Sequence, residues 1–553
     1  LPEGTALAGE GALLAALERS RTGTMRDIVA TIQGEQDEVI RAPMAGVLVV
    51  QGAPGTGKTA VALHRAAYLL FTHRARLERQ GVLIVGPNRL FLHYIDQVLP
   101  ALGETGADLV TIESLIPDVT VTAVDTPIAA RLKGDPRMAR VIGRVLTSYQ
   151  RAPDHDLVVK YEGHKLRVSR ARLAALVRIA KRNRKSHNRR RAMLHVILTK
   201  DLLNAYLRAE RKIDAMLPVT IDRKEVAREL RTDAALVAML DRMWPSLTPA
   251  RVLEDLWSSP ELLESVAGRM LKPAERVTLF REPGSGWTHG DIPLLDELLV
   301  RTGAVRRRAK LRDDDETDEL QTYGHILVDE VQDLSPMALR MIARRSRSGW
   351  MTVVGDLAQS VGSWTPSSWD DIVRHLKPRF GWERRELTIN YRTPAEIMRL
   401  AERVRLSTAP GLRPANAVRE SGAEPAFVRT DDVIATVARA ARAELDAIEG
   451  GTVAVIGPRA LLSELGDELS VPVVSSEDPN ARLVAGITLA DADTVKGLEF
   501  DSVVLVEPSR LVGEHAQGLR ALYVALTRAT KRLTVVHASD LPRALAPRSS
   551  SLG

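Results

Sequence analysis

The sequence predicts an α/β protein with two parallel-sheet domains and a large, mainly helical insertion in the first of them. Three observations carry this. Short β-branched runs recur at VLVV (47–50), VLIVG (82–86), HILVDE (325–330), MTVVGD (351–356), VAVIG (453–457), VVLVEP (503–508) and LTVVHA (533–538); they are continuous rather than alternating, as strands buried on both faces of a parallel sheet require. Between about 116 and 318 the spacing turns helical, as in Leu194, Leu198, Leu202 and Tyr206, followed by Ile213 and Leu217. The first apolar run also leads straight into a glycine-rich turn and a helix start, the order of a phosphate-binding unit.

Taken along the chain, these features give four zones. Residues 1–115 hold a charged, helix-like lead and the first two strands. Residues 116–318 form the insertion, which carries two charge runs, KRNRKSHNRRR (181–191) and RRRAKLRDDDETDE (306–319). A solvated helix face or loop is the default reading of such runs, and docking on a polyanion is the alternative for the basic one. Residues 319–379 return to strands that end in carboxylates, and residues 380–553 make a second α/β domain, with a Pro/Gly-rich surface loop at 409–424.

Composition narrows the function. A chain of 553 residues exceeds one core, and about 150 residues per domain gives three or four units. No apolar run reaches the roughly 18 residues of a membrane span, and no charged-then-apolar signal segment opens the chain; a cytoplasmic location without a membrane partner is expected. The absence of cysteine excludes disulfides, thiolate metal sites and thiol catalysis, and suits a reducing compartment or a cysteine-poor genome equally. A net charge of +7 permits contact with nucleic acid or an acidic protein and requires neither. The sequence opens on Leu1 rather than Met, so an upstream region is expected.

The turn in LVVQGAPGTGKTAVAL fits G-x-x-x-x-G-K-[ST] through Gly52, Gly57, Lys58 and Thr59. Backbone N–H groups of Gly52, Ala53, Pro54-flanking Gly55, Thr56 and Gly57 can wrap a triphosphate at the positive end of the following helix, and Lys58 adds charge near the outer phosphates. Thr59 would offer its hydroxyl to Mg²⁺. In LVDEVQD, Asp329 can hold the same ion and Glu330 can take a proton from the attacking water. Charge growing on the γ-phosphate needs a cation from across a cleft; Arg392 in LTINYRTP and Arg528 in LYVALTRATKRL are the candidates.

In order, HILVDEVQD (325–333), VVGDLAQS (353–360), LTINYRT (387–393), TVKGLEF (494–500) and LYVALTRA (522–529) resemble motifs II to VI of superfamily 1 helicases of the UvrD/Rep type. Gln36 stands 16 residues before the loop, where that family places its adenine-reading glutamine. The resemblance implies two RecA-like domains with ATP or GTP and Mg²⁺ between them. It further implies that Gln36 and a stacking Tyr391 hold the base, that Glu499 approaches the ribose, and that Gln359, Arg392 and Arg528 sense the γ-phosphate. Closure and opening of the cleft would be the motor stroke.

The sequence departs from a helicase in its spacing and its strand-tracking residues. The interval from Thr393 to Thr494 has room for a RecA-like core but not for a 2B domain, whereas the insertion exceeds a usual 1B domain. Trp364 remains as a possible nucleic-acid contact, but Gly362 takes the place of a stacking tyrosine, Asp493 that of a histidine, and Glu113 stands in TIESL where TFHS is usual. Stacking contributes about 1 to 3 kcal/mol per base, so nucleic-acid contact is expected to be weak or indirect. The segments VLIVGPNRLFLHYIDQVLPALGE (82–104) and WTHGDIPLLDELL (287–299) resemble the HelD family of polymerase-associated motors. That likeness implies a monomer bound to the RNA polymerase core, with the insertion in its main channel opening the clamp and releasing nucleic acid. The alternative is a single-strand translocase or helicase in DNA repair.

Overall fold

The computed structural model describes residues 23–88, 92, 107–116, 118–213, 222–303, 320–474, 486–515 and 517–546; the charge-flip run at 306–319 and most of 89–104 lie outside them. The chain divides into two compact units, one of Leu1–Val119 with Gln321–Gly553, the other of Thr120–Leu320. It is a mixed α/β protein with parallel sheets.

The first unit holds two such sheets. In one, β1 (Val47–Gly52), β2 (Val82–Val85), β3 (Ala107–Val110), β6 (His325–Val328), β7 (Met351–Gly355) and β8 (Trp382–Leu387) lie in the order β3-β2-β6-β7-β1-β8, all parallel. The continuity of the apolar runs has a direct cause. Val47 and Val49 pack into a core with Ile326, Val353 and Trp369 on one face, while Leu48 and Val50 pack against Leu63, Ala66 and Leu69 on the other.

The edge strand β8 reads WERREL, and four of its six residues are exposed. The zone boundary expected at 380 therefore falls too early, since β8 pairs with β1 from Val47–Trp382 to Gly52–Leu387. Charged side chains are what keeps an edge from pairing further, and they also erase the apolar signal by which a strand is read. The second sheet has the order β11-β15-β14-β12-β13, formed by Ala426–Arg429 (β11), Thr452–Ile456 (β12), Gly486–Ala490 (β13), Phe500–Val506 (β14) and Ala529–His537 (β15). Two further short strands, Ile389–Asn390 (β9) and Asn416–Ala417 (β10), pair with each other.

The helix Lys58–Thr72 follows the glycine-rich turn. On it, Arg65 is 1% exposed and donates to the carbonyls of Val39, Ile40, Ala42 and Pro43 and to Thr352 Oγ1 at 2.7 to 3.1 Å. Burial draws its guanidinium down to about 10, still fully charged at neutral pH.

The described residues of the second unit are mainly helical, with an antiparallel hairpin of β4 (Leu157–Tyr161) and β5 (His164–Val168). Its long helix, His187–Ile213, buries Leu194, Leu198, Leu202 and Tyr206 against the hairpin and neighbouring helices. Ile213 and Leu217 fall outside the described side chains. The WTHGD stretch forms a buried charged knot. Lys133 Nζ pairs with Asp125 at 2.7 Å and Asp291 at 2.9 Å and donates to Thr288 Oγ1 at 2.8 Å. Asp291 also accepts from Trp257 Nε1 at 3.0 Å and Arg281 at 2.8 Å. Among the described residues, no helix is long and apolar enough to cross a membrane.

Candidate nucleotide site

Strands β1, β6 and β7 are parallel, so Gly52, Asp329 and Asp356 all emerge at the carboxyl edge of one sheet, where open α/β sheets bind ligands. The turn after β1 has two left-handed glycines, Gly55 (φ +71°) and Gly57 (φ +77°), a conformation that costs any L side chain about 1 to 2 kcal/mol. At Gly52 a Cβ would stand 2.6 Å from Thr56 Oγ1, and at Gly55 one would stand 2.2 Å from Asn390 Oδ1. Only glycine lets the turn close this tightly.

Within the turn, Ala53 O accepts from Thr56 Oγ1 at 2.8 Å and from Lys58 Nζ at 3.1 Å; Lys58 is buried. Thr59 Oγ1 donates to Asp329 Oδ2 at 2.7 Å. A hydroxyl and a carboxylate at this spacing form the hard oxygen set Mg²⁺ prefers. With Lys58 inside a loop of backbone N–H groups, the residues fit a magnesium–triphosphate. When bound, that ion would neutralise charge on the phosphates.

Glu330 follows Asp329 in left-handed backbone (φ +49°), a strain of about 1 to 3 kcal/mol of the kind found at functional sites. Both carboxyls are buried. Burial and the neighbouring Glu330 push Asp329 up to about 6, against the pull of its bonds to Thr59 and the Glu330 N–H. Burial acts on Glu330 in the same direction, but the ammoniums of Lys496 and Lys58, with the Gln332 amide, outweigh it and hold Glu330 below the usual carboxylate range. Two adjacent carboxyls are thus driven apart, Glu330 remaining ionised.

From Glu330 a continuous hydrogen-bond chain runs outward. Gln332 Nε2 donates to Glu330 at 2.5 Å, and Gln332 Oε1 accepts from the Asp356 N–H at 3.1 Å. Asp356 accepts from Gln359 Nε2 at 3.0 Å, and Gln359 Oε1 accepts from Arg528 Nη2 at 2.9 Å. Arg528 is also buried and donates to Leu498 O at 3.2 Å. Lys496 donates to Gln359 O at 3.0 Å and pairs with Asp333; burial brings its ammonium down to about 8.

The structure therefore brings Lys58, Thr59, Asp329, Glu330, Gln359 and Arg528 into one network. Lys496, Gln332, Asp333 and Asp356 belong to it as well and were not singled out from the sequence, although all four lie inside the quoted motifs. Arg392 pairs with Glu499 at 2.6 Å, so the two residues assigned to phosphate and ribose touch each other.

The remaining predicted residues are placed differently. Tyr391 is fully buried among Ile32 and Ile389, and its N–H donates to Gly55 O at 3.1 Å. Its ring presents no open face for a base, because the helix Gly23–Ile40 lies on it. Gln36 is half-buried on that helix, whose Glu35 accepts from Thr388 N at 2.8 Å and Oγ1 at 2.5 Å. Trp364 is half-buried, and its carbonyl accepts from Ser360 Oγ at 3.5 Å. Gly362 is closed in, since a Cβ there would stand 2.9 Å from Asp333 O. Asp333 Oδ1 also accepts from Val361 and Gly362 N–H at 3.0 and 3.2 Å.

Fold and site together define a phosphate-loop nucleotide-binding protein. The family described as AAA domain matches residues 36–364, more than half of the chain, and the chain belongs to it. The UvrD-like helicase C-terminal domain matches residues 489–536. With both matches in this order, the chain is UvrD/Rep-like, of the superfamily 1 helicase type. The C-terminal domain of a possible DNA helicase from Lactobacillus plantarum WCFS1 is a similar solved structure, at 21% identity over 28% of this chain and 92% of that one, with a TM-score of 0.22. No curated protein matches the chain.

Proposed function

We propose that the protein is a nucleotide-hydrolysing motor that binds the RNA polymerase core and remodels it, releasing nucleic acid. Lys58 and the loop hold the phosphates of ATP or GTP, and Thr59 and Asp329 hold Mg²⁺. Glu330, kept ionised, accepts the proton of the attacking water, while Arg528, Lys496 and Gln359 meet the charge that develops on the γ-phosphate. The sheets of the first unit act as two RecA-like domains, and the Thr120–Leu320 unit is the insertion that enters the polymerase channel. Gly362 carries the choice of partner: where a strand-tracking motor needs a stacking side chain, the Asp333 backbone fills the space. The HelD-like WTHGD stretch supports the same reading, because it builds the buried knot of that second unit.

A second reading, a translocase acting on single-stranded DNA, is favoured by the half-buried Trp364 and the UvrD-like C-terminal match. Capture of RNA polymerase subunits from extract by the full-length chain, combined with nucleotide hydrolysis measured with and without single-stranded DNA, separates the two. Polymerase capture with little DNA stimulation is expected. Strong stimulation without polymerase would overturn the proposal in favour of the translocase. Glu330→Gln is expected to abolish turnover and spare nucleotide binding; retained turnover would remove Glu330 from the role of base.

A further inference from the structure

The opposite edge of the first sheet carries a cavity that the nucleotide chemistry does not use. It has a volume of about 470 Å³ and is lined by Arg76, Arg347, Arg379, Trp350 and Phe380. Trp350 precedes β7, Phe380 precedes β8, and the helix bearing Arg76 ends just before β2, so the cavity lies at the amino edge. Six-residue β1 separates the two edges by about 20 Å.

The lining is built for an anion with an apolar part. Among the described residues none of the three guanidiniums pairs with a carboxylate. Arg76 lies over the Trp350 ring at 3.9 Å and is steered by Gln80 Oε1 at 3.2 Å and Ser348 Oγ at 3.5 Å. Left-handed Gly349 (φ +73°) lets the turn before Trp350 close on Arg379, whose Cγ lies 3.3 Å from where a Cβ would stand. The Trp350 indole N–H is buried without an acceptor, and Phe380 keeps 67% of its surface exposed. Unpaired arginines match phosphate in a planar, two-pronged geometry, and an exposed aromatic face at a basic site suits a nucleobase.

We infer that this cavity is a second nucleotide-unit site, taking a phosphate on Arg76, Arg347 and Arg379 and stacking its base on Phe380. The unit comes from a single strand or from a free mononucleotide. The volume suits one such unit, within the usual range of ligand pockets. An acidic peptide would use the arginines but leave Phe380 idle.

The test is fluorescence anisotropy of a labelled oligothymidylate with the full chain, its Arg347→Glu/Arg379→Glu variant and its Phe380→Ala variant. Basal nucleotide hydrolysis reports that each variant is folded. Both variants are expected to bind about tenfold or more weakly. The charge variant is expected to lose about 0.7 from the salt slope, one strand phosphate's worth, with basal hydrolysis unchanged. Competition by unlabelled thymidine monophosphate assigns the site to free nucleotides, and its failure to compete assigns it to strands. Unchanged affinity in either variant, no binding by the parent chain, or equal competition by polyglutamate would overturn the inference.

Discussion

Replacing Lys496 by methionine tests how the site keeps its base ionised. Lys496 is 5% exposed and is the largest of the attractions that hold Glu330 down against burial. Removing one opposite charge at close range shifts a carboxyl by about 1 to 3 pK units. Glu330 accepts a proton only when ionised, so turnover falls as pH drops through its pKa, and raising that pKa moves the fall to higher pH. The acidic limb of the hydrolysis profile is therefore expected to move up by about 1 to 3 units in Lys496→Met and to return in Lys496→Arg. The substitution also strands the partly exposed Asp333, at the lower end of about 3 to 5 kcal/mol, so profiles belong well below the melting temperature. A limb that stays in place while turnover falls equally at every pH would refute the reasoning and leave Lys496 acting on phosphate alone.

Gly362→Tyr is expected to cost about 1 to 3 kcal/mol by overpacking against Asp333 and to bring no DNA-stimulated hydrolysis; stimulation appearing in the variant would show that the space opens. His187 is stacked on Trp244 at 5.2 Å and its Nε2 lies 2.8 Å from Pro245 O, with burial pushing its ring down to about 4. The unfolded chain takes a proton near 6.5 that the folded one refuses. His187 thus leaves stability whole above pH 6.5 and erodes it by up to about 3 kcal/mol as pH falls toward 4. Urea unfolding of the parent and of His187→Gln at pH 7 and 4.5 checks this, since the variant should lose less between the two. Lys133→Met, which takes the buried ammonium from Asp125 and leaves Asp291 paired with Arg281 alone, is expected to lower stability by about 3 kcal/mol, the lower end for a broken buried pair, without altering nucleotide affinity, as read by thermal unfolding and a nucleotide titration.

How far each part was legible follows from the range of its cause. The phosphate turn and the VDEVQD carboxylates were readable because consecutive residues make them: a glycine run, a lysine and hydroxyl, an acid pair after an apolar strand. Lys496 was not, because its role arises from Gln359 and Asp333, the first of them 137 residues away, and no local pattern encodes that meeting. The same holds for Gln51, whose amide joins Asp356 at 3.0 Å across 305 positions. The motif suggests a base-stacking ring at Tyr391, while the fold buries it with Ile32 and Ile389 and sets the Arg392 guanidinium 5.6 Å from its ring centre; its neighbour in the motif, Asn390, holds the Arg392 and Thr393 N–H groups at 3.1 and 2.9 Å. Strand β8 was missed because an edge must look polar. In the second unit, by contrast, Leu194, Leu198 and Leu202 were visible at once, since one helix face faces one core.

Arg65 has a mechanical consequence. One guanidinium on the helix behind the phosphate turn grips the last two carbonyls of the lead helix, Val39 and Ile40, and two of the connector to β1, Ala42 and Pro43. Rotation of that helix cannot be absorbed by slack in the connector, so the lead helix is geared to it. Tyr391, lying beneath the lead helix and bonded to Gly55, closes the gear train on the far side. Movement of the phosphate turn is thereby geared to the lead helix.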